Sequence, residues 1–354
     1  MDAVVYQSGN GWQRDRYAFM AEYLAQRGVR QFGRSRNGTA YRHLLAESAA
    51  IHNFLGDTRI LHAVRRRFAS HKAGDLVRTL TNTTASTPFC FNLFVPLQLD
   101  LELASDLVSH WLAKRVCVAH VEIEFTPNRC DVAGFGLQED ESLGDQSGST
   151  GTDADVAVFY GDAVGTRGVI LIETKYIEAG FSTCTSYRNK PRVRSVCDAG
   201  DFYERLVRPH LALPPASPDC GYVRFANWAL TNKSALFDAA AVASAPGCPF
   251  RGSAQQIWRN LLLAERVAAA RGLDELHFWV LAPVQNTYLW QEGTVEVELA
   301  VRELLTRRGR ESFRRLELQR DFTDPLGAIA RTEHAEWLAK VVERYVPVPT
   351  AVAF

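Results

Sequence analysis

Lys175 stands in the run Gly168-Val169-Ile170-Leu171-Ile172-Glu173-Thr174-Lys175-Tyr176-Ile177. The chain uses six lysines against thirty-four arginines, so where positive charge alone serves it writes Arg. A lysine two residues after a glutamate in an apolar run asks for a reason specific to an ammonium. Alternate side chains of a strand share a face, so Glu173 and Lys175 project together, away from Ile172, Thr174 and Tyr176. An upstream run, Asp155-Val156-Ala157-Val158-Phe159-Tyr160, opens with an acid. The link Gly161 to Arg167 is turn-rich and short enough for a hairpin, which brings Asp155 beside Glu173 and Lys175. Two desolvated carboxylates side by side repel. A divalent cation relieves that repulsion, and Mg²⁺ in particular binds through one or two carboxylates and takes other ligands from water and substrate phosphate. A nearby ammonium can orient or deprotonate an attacking water and offset charge developing at phosphorus. The bland alternative is that Asp155 caps a turn and that Glu173 and Lys175 form a surface pair worth little.

This Asp…Glu-x-Lys constellation resembles the PD-(D/E)XK nuclease superfamily, the restriction-endonuclease-like proteins. The resemblance puts Asp155 on the strand-opening acid and Glu173 and Lys175 on the E-x-K. The usual proline before the acid is Ala154 here, and Asp153 is the fallback on the same strand face. The stretches Leu80 to Ser86, Phe89 to Leu97, Glu173 to Glu178 and Gln256 to Asn260 look like segments of bacterial restriction-endonuclease-like proteins, so the likeness spans roughly residues 80 to 300. It implies an α/β fold with a core of helix, three-stranded antiparallel meander, helix and strand, carrying helical N-terminal and C-terminal additions. It implies that Asp155 and Glu173 hold Mg²⁺, with Mn²⁺ able to substitute, and that Gln256 and Arg259 approach the site from a helix. Glu122 and Glu124 share one face of a preceding strand; Glu124 is the candidate third ligand, and a solvated strand face is the alternative reading. Glu178 falls on the face opposite Glu173.

The elements that must position these groups follow from periodicity. Residues 1 to about 75 read as helices, with apolar residues at three-and-four spacing over Arg14 to Arg27 and Tyr41 to Leu55. A less regular segment runs through Pro96. Leu99 to Val116 reads as a helix leading into the strand Cys117 to Phe125. Helices are expected again at Asp201 to Leu211, Ala254 to Arg271, Thr294 to Arg307 and Thr332 to Tyr345, and Leu276 to Ala282 as the strand that closes the core sheet. The organisation expected is an accessory region over 1–98, the nuclease core over 99–290 and a helical extension over 291–354. Within the core, residues 138–152 carry Glu139, Asp140, Glu141 and Asp145 among Gly, Ser and Thr, which reads as a mobile loop.

A formal net charge of zero supplies no global field towards nucleic acid, so DNA binding must rest on local patches. The best is Tyr187-Arg188-Asn189-Lys190-Pro191-Arg192-Val193-Arg194, where Tyr187, Arg188, Lys190, Arg192 and Arg194 could hold phosphates near the metal. The run Arg65-Arg66-Arg67 reads as the wet side of a helix. No stretch approaches the roughly 20 apolar residues of a membrane span, and the first residues lack a signal-peptide pattern. Seven cysteines, odd in number and scattered, fit a reduced cytoplasm. Cys184, Cys197, Cys220 and Cys248 could still converge on a metal. No Walker loop, His-Glu-x-x-His or Gly-x-Ser-x-Gly occurs. The reading is a metal-dependent DNA endonuclease, a homodimer if it cuts both strands, with a defence role implied by the resemblance and DNA repair as the neighbouring role. The competing readings are a non-cleaving interaction module on the same fold, or an unrelated α/β protein.

Overall fold

A computed structural model of the chain describes residues 3–70, 75–126, 152–212 and 227–346. The expected acidic loop, apart from Thr152, lies outside the described residues, as do Cys130, Cys220 and the segment 214–219.

Two almost wholly apolar strands sit in the middle of a five-stranded mixed sheet. They are β4 (Ala154–Gly161) and β5 (Arg167–Thr174), antiparallel to each other. A strand buried on both faces carries a continuous hydrophobic run rather than an alternating one. β3 (Cys117–Phe125) pairs antiparallel on the outer side of β4, and β6 (Glu275–Ala282) pairs parallel with β5. A small hairpin, β7 (Gln291–Glu292) and β8 (Val295–Glu296), precedes the last strand, β9 (Phe313–Glu317), which runs parallel beside β6. The sheet order is β3-β4-β5-β6-β9. Leu276 to Ala282 therefore does not close the sheet. The strand beyond it comes from a region expected to be helical only, where Arg314 and Arg315 break the apolar pattern of a run just five residues long.

Each face of the sheet has its own core. Val156, Val158, Ile170 and Ile172 pack with Phe89, Phe91, Leu93, Leu103, Leu107 and the C-terminal helix Ala335–Tyr345. Ala157, Phe159, Val169 and Leu171 pack with Ile257, Trp258 and Leu261 of the helix Ala254–Arg271, which ends on Gly272 in the left-handed conformation (φ 58°). Odd-numbered residues of β4 and β5 thus face this long helix, and that parity includes Asp155 and Glu173.

The amino-terminal region is not all helix. α1 (Gly11–Gln26) is capped by Asn10 and Gln13 in a reciprocal box. It leads into a hairpin of β1 (Phe32–Arg34) and β2 (Ala40–Leu45), and a 3₁₀ helix follows over Glu47–Phe54. The turn Asn37-Gly38, with Gly38 at φ 83°, was the legible hairpin signal just before the expected helix 41–55. α2 (Thr58–Ser70) and α3 (Leu76–Thr81) come next. The segment read as irregular is α4 (Ser86–Leu99), buried from Pro88 to Leu97. A helix apolar all round shows no stripe to read. α5 (Leu101–Leu112), capped by Asp100, replaces the longer helix expected over 99–116. Farther on, the helix expected over 294–307 is limited to Val297–Glu303, and 201–211 opens with a π turn, Tyr203–Val207.

Arg344, fully buried at 0% exposure, ties the carboxy-terminal helix to this accessory region. Its guanidinium donates to the carbonyls of His52 (3.1 Å), Asn53 (2.9 Å) and Thr83 (3.1 Å) and to Asn53 Oδ1 (2.7 Å). Arg344→Ala should cost about 3 kcal/mol or more, since several buried acceptors lose a charged donor together. The urea midpoint should fall with the slope of the transition unchanged; an unchanged midpoint would contradict this role.

Candidate functional site

The sheet register alone lines up three carboxylates. Pairing of Val156 with Ile172 and Ala157 with Leu171 continues to Asp155 facing Glu173. Pairing of Ile123 with Val156 and Phe125 with Ala154 brackets Glu124 against Asp155. Glu124, Asp155 and Glu173 thus form one cross-strand row over β3, β4 and β5. Glu124 has a left-handed backbone (φ 55°), a conformation that costs a non-glycine residue about 1–3 kcal/mol.

Each acid has identified partners. Asp155 Oδ2 accepts from the backbone N–H and the hydroxyl of Thr174, both at 2.7 Å. Glu173, at 5% exposure, pairs with Lys175 Nζ at 2.9 Å through Oε1. The same oxygen accepts from Gln256 Nε2 at 2.6 Å, and Oε2 lies 3.4 Å from Asn260 Nδ2. Gln256 and Asn260 are one turn apart on the Ala254–Arg271 helix, so one helix face grips one carboxylate. Gln256 Oε1 in turn accepts from Ser182 N–H at 3.0 Å. Lys175 is 7% exposed, its backbone N–H donates to Leu281 carbonyl at 2.9 Å, and its ammonium lies 5.8 Å from the Phe181 ring centroid. The β6 register therefore extends to the lysine and fixes it beside the row.

Electrostatics follow from this crowding. Burial first, then Glu173 and Glu124, hold the Asp155 carboxyl well above the usual aspartate range. Burial, then Glu173 and Asp153, push Glu124 up to about 7. Burial works against the Lys175 charge, but Glu173, Glu178 and Asp155 outweigh it and raise its pKa above the ordinary lysine value. Lys175 is an ammonium at neutral pH.

Of the residues singled out in the sequence, Asp155, Glu173, Lys175, Gln256 and Glu124 come together here. Arg259 lies at the rim, its Nε donating to Thr152 Oγ1 at 2.8 Å, three residues before Asp155. The Tyr187 to Arg194 patch forms two short helices, α6 (Thr185–Asn189) and α7 (Pro191–Cys197), that begin three residues after Ser182. Arg188, Lys190, Arg192 and Arg194 are exposed. Arg194 folds back onto the carbonyls of Tyr187 and Arg188, and Tyr187 donates to Asp198. Cys184, Cys197 and Cys248 are buried and form no disulfide among the described residues, and the Cys248 N–H donates to the Cys197 carbonyl at 2.7 Å. Glu178 accepts from the Tyr176 N–H at 2.7 Å.

Sequence reasoning missed three supports. Asn260 was inside a quoted segment, and its spacing of four from Gln256 was the available signal. Thr174 looked like the outward residue between Glu173 and Lys175. Arg67 was read as solvated; only Arg65 and Arg66 are. Arg67 is 6% exposed, pairs with Glu122 at 3.1 Å and donates to the Glu124 carbonyl. Glu122 also meets His120 Nε2 at 3.1 Å, which separates its role from that of Glu124.

The three carboxylates, one from each of three strands, are oxygen donors of the kind a hard cation takes; the buried Cys90 thiol borders them, donating to the Asp155 carbonyl at 3.6 Å. Among the described residues the one trio of ligand atoms within 4.8 Å of one another is elsewhere, at Asp100, Glu333 and His334. There Asp100 caps α5 and His334 holds its second oxygen at 2.9 Å, which accounts for the grouping.

The fold and this row define an α/β protein with an acidic, lysine-bearing site on a mixed sheet. The chain belongs to the PD-(D/E)XK nuclease superfamily, whose family model matches residues 11–217 and 228–347. No curated protein and no solved structure matches it. Membership implies phosphodiester hydrolysis, a divalent metal and DNA as the general substrate. No helix among the described residues is long and apolar enough to cross a membrane.

Raised carboxyl pKa values make stability fall with pH. Between about 4.5, the ordinary glutamate value, and about 7, folded Glu124 keeps a proton that the unfolded chain has released. Asp155 acts in the same sense. Without metal, this row should lose stability as pH rises from 5 through 7. Mg²⁺ or Mn²⁺ should therefore raise the melting temperature more at pH 8 than at pH 5.5. Glu124→Gln should flatten the metal-free profile; equal metal shifts at both pH values would refute the coupling.

Proposed function

We propose that the protein is a Mg²⁺-dependent DNA endonuclease, with Mn²⁺ able to replace Mg²⁺. The observation that carries this reading is the Glu124–Asp155–Glu173 row with the Lys175 ammonium at its end. Asp155 and Glu173 would hold the ion, with Glu124 as the third carboxylate. A divalent ion there supplies Lewis acidity and neutralises charge on the phosphate under attack.

The remaining work belongs to the chain. Gln256 and Asn260 fix the Glu173 carboxylate, so its lone pairs point in one direction before substrate arrives. Thr174 does the same for Asp155, occupying Oδ2 with two donors and leaving Oδ1 for coordination. Lys175, held as a cation, positions the attacking water by hydrogen bonding and stabilises the extra negative charge on the pentavalent phosphorus. Its protonated state favours this role over that of a base. Arg188, Lys190, Arg192 and Arg194, with Tyr187, would take backbone phosphates on one side, and Arg259 on the other. Thr152 and Arg259 sit where strand and helix meet, beside the opening acid.

Restriction of foreign DNA is the role we favour, resting on the resemblance of residues 80 to 300 to bacterial restriction-endonuclease-like proteins. DNA repair is the neighbouring role. A dimer would supply two centres for two strands. A non-cleaving interaction module is disfavoured because the acids and the lysine are all present and braced.

Plasmid incubated with Mg²⁺ or Mn²⁺ should be nicked or linearised. Asp155→Ala and Lys175→Ala should each lower the rate by about 10²–10³ or more, and Gln256→Ala by roughly 10-fold, because it acts through Glu173. DNA binding without metal-dependent cutting would leave the interaction module standing instead. Cutting that survives Lys175→Ala would remove the lysine from the chemistry.

A further inference from the structure

Residues 23–46 hold five arginines, Arg27, Arg30, Arg34, Arg36 and Arg42, and no Asp or Glu. In a chain with zero formal charge, that is a marked local imbalance. The stretch folds as the end of α1 and the β1–β2 hairpin. Arg27 pairs with Glu343. The others behave differently. Arg30, Arg34 and Arg42 converge, with Phe32, on an open cleft of about 450 Å³. Arg34 donates to the Gly38 carbonyl at 2.7 Å, Arg42 to that of Ala3 at 2.8 Å and Arg30 to that of Val29 at 3.4 Å. Carbonyls orient a guanidinium without cancelling its charge. Among the described residues no carboxylate forms an ion pair with any of the three. Three like charges round one cleft are repulsive until an anion enters.

We propose that this cleft binds backbone phosphates of the DNA substrate, as an anchoring surface apart from the reacting centre. The inference rests on the nuclease reading and extends it to the accessory region. Guanidinium forks match phosphate oxygens two at a time. The geometry also suits a substrate that lies in the active site. Trp12, near the start of α1, donates to the Tyr176 carbonyl at 3.0 Å, next to Lys175. Ala25, thirteen residues farther along α1 (25 minus 12), lines the cleft. At 1.5 Å per residue the two lie about 20 Å apart.

The test is binding of a short DNA duplex across a salt series in EDTA, where no cutting occurs. The Arg30→Ala/Arg34→Ala/Arg42→Ala variant should bind at least about 10-fold more weakly at low salt. Its plot of log affinity against log salt should be shallower by about 0.9 per lost phosphate contact. The loss should be equal on unrelated sequences, because phosphate contacts carry no base information. The matching triple Lys variant should keep the slope. If the triple Ala variant melts early, Arg34→Ala and Arg42→Ala singly should each lower the slope by about 0.9. Unchanged affinity and slope overturn the proposal. So does a loss of binding to polyglutamate with DNA binding intact, which would assign the cleft to acidic peptide. Wild-type plasmid cutting is read separately: cutting with an unaltered slope refutes the cleft alone, whereas failure of the wild type both to bind and to cut DNA refutes the nuclease reading.

Discussion

Everything in this molecule is arranged around the cost of keeping three carboxylates in one row across a sheet. In water such a row is cheap; half-buried and buried between a sheet and a helix it is not. Burial and mutual repulsion push Asp155 and Glu124 towards their protonated forms. One ammonium, Lys175, and a few amide and hydroxyl donors offset part of this. None of these can neutralise the row, and a dication can. The remaining imbalance has the sign that a bound cation would remove.

The bracing shows where rigidity was needed. Glu173 is held from the long helix and from the sheet at once, since Gln256 and Asn260 approach from one side and Lys175 from the strand itself. Glu124 is held differently. Its backbone sits in the left-handed region, and its carbonyl accepts from Arg67 of α2. Glu122, two residues earlier, is the counter-charge that keeps Arg67 in place. The edge strand of the sheet is thus pinned by a helix of the amino-terminal region. That region therefore helps to set the backbone of β3 at Glu124.

The grouping of the acids and the lysine was more legible in the sequence than the architecture was. Asp155, Glu173 and Lys175 could be found because strand alternation and a short turn fix their mutual placement locally, within about twenty residues. Gln256 needed family resemblance, because the partner helix is more than eighty residues away. Arg67 could not be found: a run of three arginines reads as solvated, and only the tertiary approach of α2 to β3 selects the third of them for burial. The errors in the fold have equally physical causes. α4 lacks a polar face and so lacks a period, β9 is short and interrupted by arginines, and β2 carries apolar spacing that a helix could also satisfy. In that last case Asn37-Gly38 was the deciding evidence, and it outweighs periodicity whenever the two compete over so few residues.

A neutral chain that must hold a polyanion has to segregate its charge, and the two basic surfaces show how that is done. One begins with α6, after the irregular segment 175–184 that follows β5, and Ser182 in that segment donates to Gln256. The other lies on the hairpin, joined to Tyr176 through Trp12 and the length of α1. Each surface thus has one hydrogen-bonded tie towards the elements that carry the acidic row. Acids elsewhere are partnered locally, as Glu298 with Arg302 and Glu336 with Lys340. Forty acidic and forty basic side chains sum to zero, yet residues 23–46 carry five arginines and no acid, so a neutral chain can still present a basic surface.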